Sequence, residues 1–386
     1  MIRERRVLQV AFAAVVLLVG VQFYLWAAAH LDGREPALPR PAGVEGFLPI
    51  SALMSARLWL AGQGVHPVHP AALAILLGIL AMSALVAKSF CSHLCPVGAL
   101  SEWLGRLGRR LLGRTWEPPH WLDIPLRSLK YVLLAFFVWA TWVAMDVAAV
   151  RAFLDSPYNR VADVKMGLFF AHASRVTIAV LGVLVVGSLL VRDLWCRYLC
   201  PYGALLGFFG RLAPFKVTRD PATCTDCRKC TRVCPARLPV HAMTRVASVE
   251  CTSCQDCVAV CPIKDCLAVR LAPAPRPLPL VHWPRGGGCP PTDLAQPCAP
   301  PNPPSQRRQS RTLLRPALAV AVAAAVYLGV TAGFRLAGHW RSSVGEAEYA
   351  ARLPHLDSPL YTHVGGLAAS ESAAAVPATV PSHRPN

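Results

Sequence analysis

Charge is scarce in this chain, and negative charge scarcest. Of 386 residues 16% are charged, and the acids number 21 against 39 Lys and Arg. Apolar residues make up 54%, and several runs carry almost no charge, which excludes one large water-soluble core as the whole architecture. No Cys-x-x-Cys-His sequence occurs, so covalent c-type haem is excluded. Neither a phosphate-binding glycine loop nor a dinucleotide fingerprint nor a nucleophile–His constellation is present, which argues against nucleotide-dependent chemistry. A formal charge of +18 would suggest nucleic acid in a soluble protein. Here the cations gather beside apolar runs, where membrane topology and anionic lipid account for them, and no nucleic-acid partner is expected.

The apolar runs are what the chain has in abundance. Arg3, Arg5 and Arg6 precede an unbroken one from Val7 to Ala29. It reads as a retained span, since it is longer than a typical signal core; cleavage after Ala27-Ala28-Ala29 is the rival reading. Phe47 to Leu60 is expected to lie at the interface, because Pro49 and Arg57 interrupt it. Further spans are expected at Ala71–Ala87, Leu126–Ala149, Phe169–Val191 and Ala317–Phe334. In the third of the five, Lys130 and Asp146 sit near the ends, where they can reach headgroups. Arg106, Arg109, Arg110 and Arg114 mark a basic inner loop. An odd number of spans leaves the N-terminus and residues 211–270 on the cytoplasmic face and the C-terminus outside. Residues 273–311 are dense in Pro and read as an extended or disordered tether. The tail is expected to be disordered beyond about Gly365.

Fifteen cysteines stand in this background. Cys224, Cys227, Cys230 and Cys234 form one Cys-x-x-Cys-x-x-Cys-x-x-x-Cys-Pro run; Cys251, Cys254, Cys257 and Cys261 form a second. This is the bacterial ferredoxin spacing, in which three close thiolates grip one cube and the fourth reaches across to the other. It assigns Cys224, Cys227, Cys230 and Cys261 to one [4Fe–4S] cluster, and Cys251, Cys254, Cys257 and Cys234 to another. Structural zinc is the rival, but such sites use two Cys-x-x-Cys pairs well apart. Cys266 reads as a bystander, and Cys289 and Cys298 lie without a role in the Pro-rich stretch. Lys216, Arg219, Arg228, Lys229 and Arg232 surround the first run; they steer an acidic partner or express positive-inside bias.

The remaining four cysteines reveal an internal duplication. Phe90-Cys91-Ser92-His93-Leu94-Cys95-Pro96-Val97-Gly98-Ala99-Leu100 matches Trp195-Cys196-Arg197-Tyr198-Leu199-Cys200-Pro201-Tyr202-Gly203-Ala204-Leu205. Each copy ends a span, so the unit is span, outer loop, span, CxxxCP. Cysteines four apart share a helix face. Pro96 and Pro201 suit the first position of the next helix, whose positive end favours thiolate at Cys95 and Cys200. If the copies face each other, Cys91, Cys95, Cys196 and Cys200 form a four-thiolate site. It would hold a further iron–sulfur cluster, a copper or zinc ion, or a redox disulfide; the plain alternative is tight helix packing. His66, His69 and His172 lie just before spans and are candidates for a metal, haem or quinol contact, or simply interfacial residues.

At these motifs the chain resembles the membrane iron–sulfur proteins of the NosR and NapH type and, more distantly, the FixG/CcoG group. The likeness covers roughly residues 44–270, including Val44–Ile50 and Val65–Ala71. It implies an electron-transfer component of the bacterial cytoplasmic membrane, often tied to the quinol pool and to anaerobic or copper-dependent respiration. The first apolar run begins at Val7, so the flavin domain that NosR carries ahead of its spans, and hence flavin, is not expected.

The expected fold is a mainly α, polytopic membrane protein of about five spans with a duplicated two-span unit and an inserted α+β ferredoxin module. Its parts are a first repeat (1–110), a second (111–212), the module (213–272), a linker (273–311), a last span (312–336) and an extracytoplasmic tail (337–386). The expected function is electron relay between a membrane donor such as quinol and the clusters, with redox proteins as partners. Part of a quinol dehydrogenase or metal reductase remains open as its enzymatic setting. The alternative is an assembly factor that binds or reduces copper at the CxxxCP thiols.

Overall fold

The computed structural model describes residues 2–113, 115–271 and 316–361. The expectations for Arg114, the 273–311 tether, Cys289, Cys298 and the end of the tail lie outside these residues.

The first helix, α1 (Ile2–Leu31), is apolar on every side over most of its length and leaves Val10, Val15, Leu17 and Leu18 exposed, as a lipid-facing helix does. Two short helical pieces, Ala42–Phe47 and α2 (Pro49–Leu60), follow. Pro49 opens α2 rather than interrupting it, and Arg57 donates to the carbonyls of Thr141 and Met145 at 2.6 Å each. Buried residues dominate α3 (Pro70–Val86), which packs against α2, α11 (Pro201–Leu212) and α14 (Pro316–Leu336). Gly78 admits the Tyr327 ring of α14 so closely that a β-carbon there would lie 2.8 Å from it. At Ala87 the backbone turns sharply, with φ +49°. The chain then enters α4 (Ser89–His93) and α5 (Pro96–Leu112).

The next long helix, α6 (His120–Trp139), continues through a wide π turn, Ala140–Ala144, and stops. The third span therefore ends about five residues before the expected Ala149, because Asp146 caps a new helix, α7 (Val147–Asp155), by accepting from Ala149 N at 2.6 Å. After α8 (Pro157–Arg160), the expected fourth span, Phe169–Val191, takes in the end of α9 (Ala162–Ala171) and then α10 (Arg175–Leu190), two helices bent by 76°. Ser174 causes the break: its hydroxyl accepts from Thr177 N and starts a fresh helix inside an apolar run. By length and composition, α1 and α6 with its π turn suffice to cross a membrane, and the bent pair makes a third if it is one span. Pro70–Val86 and the 321–336 part of α14 are apolar but shorter.

A second π turn, Trp195–Leu199, precedes α11. The ferredoxin module follows. Strands β1 (Phe215–Arg219) and β2 (Leu267–Leu271) pair antiparallel, Phe215 opposite Leu271 and Arg219 opposite Leu267. Between them lie two short helices, α12 (Lys229–Val233) and α13 (Asp256–Ala259). The module sits against the start of α1, the end of α3 and the middle of α6.

The other end of the bundle is closed by α15 (Glu346–Arg352), which packs on α1: Trp26 Nε1 donates to Glu346, and the Trp26 and Tyr349 rings meet edge to face at 4.8 Å. Beneath it Arg40 donates to Asp163 at 2.7 Å and to Glu45 at 3.0 Å, all three side chains being almost wholly buried. Glu45 also accepts from Ala72 N, in the first turn of α3.

Candidate iron–sulfur centres

The two cysteine runs fold into two separate cavities, and each cavity takes three thiols from one run and one from the other. Cys224, Cys227, Cys230 and Cys261 line the first, together with Cys266. Cys234, Cys251, Cys254 and Cys257 line the second. The crossing arises because each run ends in Cys-Pro just past a one-turn helix, α12 or α13, so the fourth cysteine leaves on the opposite side. Positive φ at Asp226, Arg228, Ser253 and Gln255 winds the loops so that amides face inward. Leu238 N donates to Cys234 Sγ at 3.5 Å, an amide-to-sulfur contact of the kind that tunes such centres. Cys266 directs its thiol at Asp220 O, 3.7 Å away. Among the described residues no three Cys, His, Asp or Glu side chains converge on a point that could hold a single metal ion. A cube, unlike a single ion, is held by four thiolates that stay apart from one another.

The four CxxxCP cysteines also come together. Cys196 lies within electrostatic reach of Cys95, Cys200 and Cys91. Cys95 and Cys200 cap α5 and α11, accepting from Gly98 N at 3.4 Å and Gly203 N at 3.3 Å. These caps were expected to favour thiolate, but burial wins. It pushes Cys95 up to about 11, with the Gly98 bond only partly offsetting it, and raises Cys91, Cys196 and Cys200 as well. Left bare, these thiols stay protonated at neutral pH. Lys88 and Lys130 oppose this at Cys91 and Cys200, supplying the positive charge a thiolate-bound metal centre needs. All described cysteines are free thiols, so the redox-disulfide form is not the one seen.

A cavity of about 80 Å³ joins the four-thiol site to the module, lined by Cys91 and Cys196 on one side and Cys254 on the other. Charged side chains clamp its walls. Arg5 of α1 reaches Glu102 at 2.7 Å and Asp256, between Cys254 and Cys257, at 3.1 Å. Ser92 Oγ donates to Thr252 O at 2.7 Å. Lys130 is not reaching for headgroups: it is 1% exposed and bonded to Glu250 at 2.5 Å, with Lys88 3.8 Å from the same carboxylate. Arg197 donates twice to Asp123, at 2.8 and 3.0 Å. Cysteine spacing gave no sign of these joints; their only trace in the sequence is charge at the edges of apolar runs.

The two repeats differ in tolerance. A β-carbon at Gly98 would lie 2.3 Å from the Cys91 carbonyl oxygen, whereas at Gly203 the nearest atom, Cys200 Sγ, is 3.6 Å away. Gly98→Ala is therefore expected to destabilise by about 1–3 kcal/mol and displace Cys91, and Gly203→Ala to be neutral. Thermal unfolding and iron content of the two variants check this.

Other candidates fall elsewhere. His66 is buried with Nε2 3.3 Å from Asp155, and burial lowers its pKa. His69 bonds Asn159 O at 2.7 Å, and His172 is exposed at the α9–α10 bend. Among the basic residues, Arg228, Lys229 and Arg232 are exposed, but Lys216 is buried and donates to Arg211 O.

The family described as a 4Fe-4S binding domain matches residues 68–115 and 176–219, and a 4Fe-4S dicluster domain matches 216–262. YccM of Escherichia coli (strain K12), whose name assigns it provisionally to electron transport, is 42% identical over 247 residues, 64% of this chain and 69% of that protein. The regulatory protein NosR of Pseudomonas aeruginosa is 30% identical over 165 residues, 42% of this chain but 22% of NosR. The ferredoxin-type protein NapH of Escherichia coli (strain K12) is 28% identical over 149 residues, 38% of this chain and 47% of NapH. No solved structure matches the chain. On the breadth of the YccM likeness and the domains matched, the chain belongs to the NosR/NapH-type family of ferredoxin-like membrane proteins with 4Fe–4S domains.

Proposed function

We propose that the chain is a membrane-bound electron-transfer protein with three iron–sulfur sites, taking electrons from a membrane donor such as quinol and handing them to a redox protein. The observation that carries this reading is the crossed sorting of eight cysteines into two cavities, with four more thiols gathered directly behind one of them.

The ligand sets follow the cavities: Cys224, Cys227, Cys230 and Cys261 for one cluster, and Cys234, Cys251, Cys254 and Cys257 for the other. Iron–sulfur clusters supply one-electron chemistry without bond making in the protein. The chain's own residues hold sulfur ligands rigid, exclude water and balance charge. Cys91, Cys95, Cys196 and Cys200 are the only cysteines inside the two stretches matched by the 4Fe-4S binding domain, which favours a third cluster over packing alone. Lys88 and Lys130 favour the charged form of Cys91 and Cys200, as thiolate ligation requires.

With this reading goes a proposed architecture of five transits, α1, α3, α6, α9 with α10, and α14, in a duplicated two-span arrangement; α1, α6 and, taken as one, the bent pair are long enough to cross. Basic residues beside the module support a cytoplasmic position for that end and a periplasmic one for α15. The test is anaerobic reduction of the purified protein by a short-chain quinol. Bleaching of cluster absorbance without added copper is the expected result. Reduction only when copper is present, with copper retained at the thiols, would favour the assembly-factor reading instead.

A further inference from the structure

A second, larger cleft of about 870 Å³ opens beside the clamp that Arg5 makes with Glu102 and Asp256. Its walls are α5, the first turns of α1, the 115–119 segment and residues 231–237 of the module. Seven arginines face it against three carboxylates. Those carboxylates are already engaged. Glu102 is shared by Arg5 and Arg106, Asp256 is taken by Arg5, and Glu117, 71% exposed, comes no closer than 3.7 Å to Arg237. Arg192 and Arg232 turn instead to the carbonyls of Val233 and Cys227, at 3.4 and 3.3 Å. Arg6 and Arg109 line the cleft too, and Asp193 and Glu102 act on Arg109 only through their field. Arg192 Nε is buried without a hydrogen-bond partner, with Asp193 3.5 Å away. Repulsion is the consequence: burial and then the charge of Arg192 hold Arg109 below the usual guanidinium range.

The cleft also has a definite depth. Leu100, Leu107 and Leu111 are exposed on the face of α5 opposite its arginines, and Trp116 and Trp121 stand exposed on the adjoining segment. An amphipathic helix edged by tryptophans marks the level where acyl chains give way to headgroups. The volume falls in the range of small-ligand sites.

We propose that this cleft binds a phosphate-bearing anion through Arg6, Arg109, Arg192 and Arg232. Guanidinium forks match phosphate oxygens in pairs, and one such ligand neutralises the cleft's net positive charge, of which Asp193, 3.5 Å from Arg192, offsets only part. The same phosphoryl chemistry is offered by an anionic lipid headgroup and by a soluble phosphate compound.

The full-length protein in phosphatidylcholine nanodiscs, with or without phosphatidylglycerol, separates these sources. In the lipid arm, native mass spectrometry of the parent retains phosphatidylglycerol, and the R6Q/R109Q variant retains it about 30-fold less well, each arginine near the surface contributing about fivefold. In the soluble arm, pyrophosphate added to phosphatidylcholine discs raises the melting temperature of the parent and not of the variant. Either result supports the site and names its source. A second variant at exposed positions, R6Q/R232Q, guards against misfolding and is expected to behave alike. Equal lipid retention and equal pyrophosphate response in parent and both variants would overturn the proposal.

Discussion

Changing Cys234 to Ser is expected to remove the centre formed by Cys251, Cys254 and Cys257 and to spare the one formed by its own run. The reason is positional. Cys234 lines the cavity of the second run, while Cys261, at the equivalent place in that run, lines the cavity of the first. Each single serine variant should therefore lose about four irons and keep the remainder, in keeping with a cube per ligand set. Cys234→Ser and Cys254→Ser should give the same residual electron paramagnetic resonance spectrum. Cys261→Ser and Cys227→Ser should share the other. Matching spectra for Cys234→Ser and Cys230→Ser would show that each run holds its own cluster.

The second large effect is expected at Glu250. This carboxylate stands one residue before Cys251 and takes the charge of two buried lysines: Lys130 at 2.5 Å from α6 and Lys88 at 3.8 Å from the end of α3. It also accepts from Tyr131 at 2.6 Å. Glu250→Ala leaves both ammonium groups buried beside the four-thiol site without a counter-charge, a change that costs about 3–5 kcal/mol. Glu250→Gln keeps the shape but not the charge and should fall between the two. The pH dependence has a fixed sign. Burial pushes the Glu250 carboxyl up, but Lys88 and Lys130 outweigh it and hold the group below the ordinary carboxylate value. Its stabilisation is thus complete above that ordinary value and is lost as the pH falls through the depressed one. Unfolding of the parent should steepen on acidification, and the Glu250→Ala variant should lack that component. Identical acid profiles would remove Glu250 from the joint.

What could be read from the sequence was whatever depends on short spacing. Three cysteines at i, i+3 and i+6 fix a loop around a cube, and the Cys-Pro that follows fixes where the fourth thiol leaves. The 105-residue offset between Cys91 and Cys196 likewise needs no knowledge of the fold, and the structure gathers those four thiols. Contacts between distant segments were not legible. Arg5 meets Asp256 across 251 residues, so in the sequence Arg5 is only one more cation before an apolar run. Lys130 has the spacing of a residue reaching for headgroups, yet Glu250 captures it inside. The fourth apolar run reads as one span because its cap, Ser174, is small and uncharged, although the cap is enough to bend the chain by 76°. The thiolate expectation failed for a physical reason: a helix end contributes less at Cys95 than burial removes.

These differences share a cause, since charge inside a low-dielectric assembly is governed by partners rather than by neighbours in sequence. The outer end illustrates it with Arg40, Glu45 and Asp163, drawn from separate segments into one buried ion group under Tyr349. None of the three stands out in the sequence.

The most direct test of the whole account is the iron and acid-labile sulfide content of protein purified without oxygen. About twelve of each per chain is expected, four for each of three thiolate sets. About eight would remove the cluster at Cys91, Cys95, Cys196 and Cys200 and leave the ferredoxin pair standing. Zinc in place of iron, with no sulfide released by acid, would contradict the account at its root.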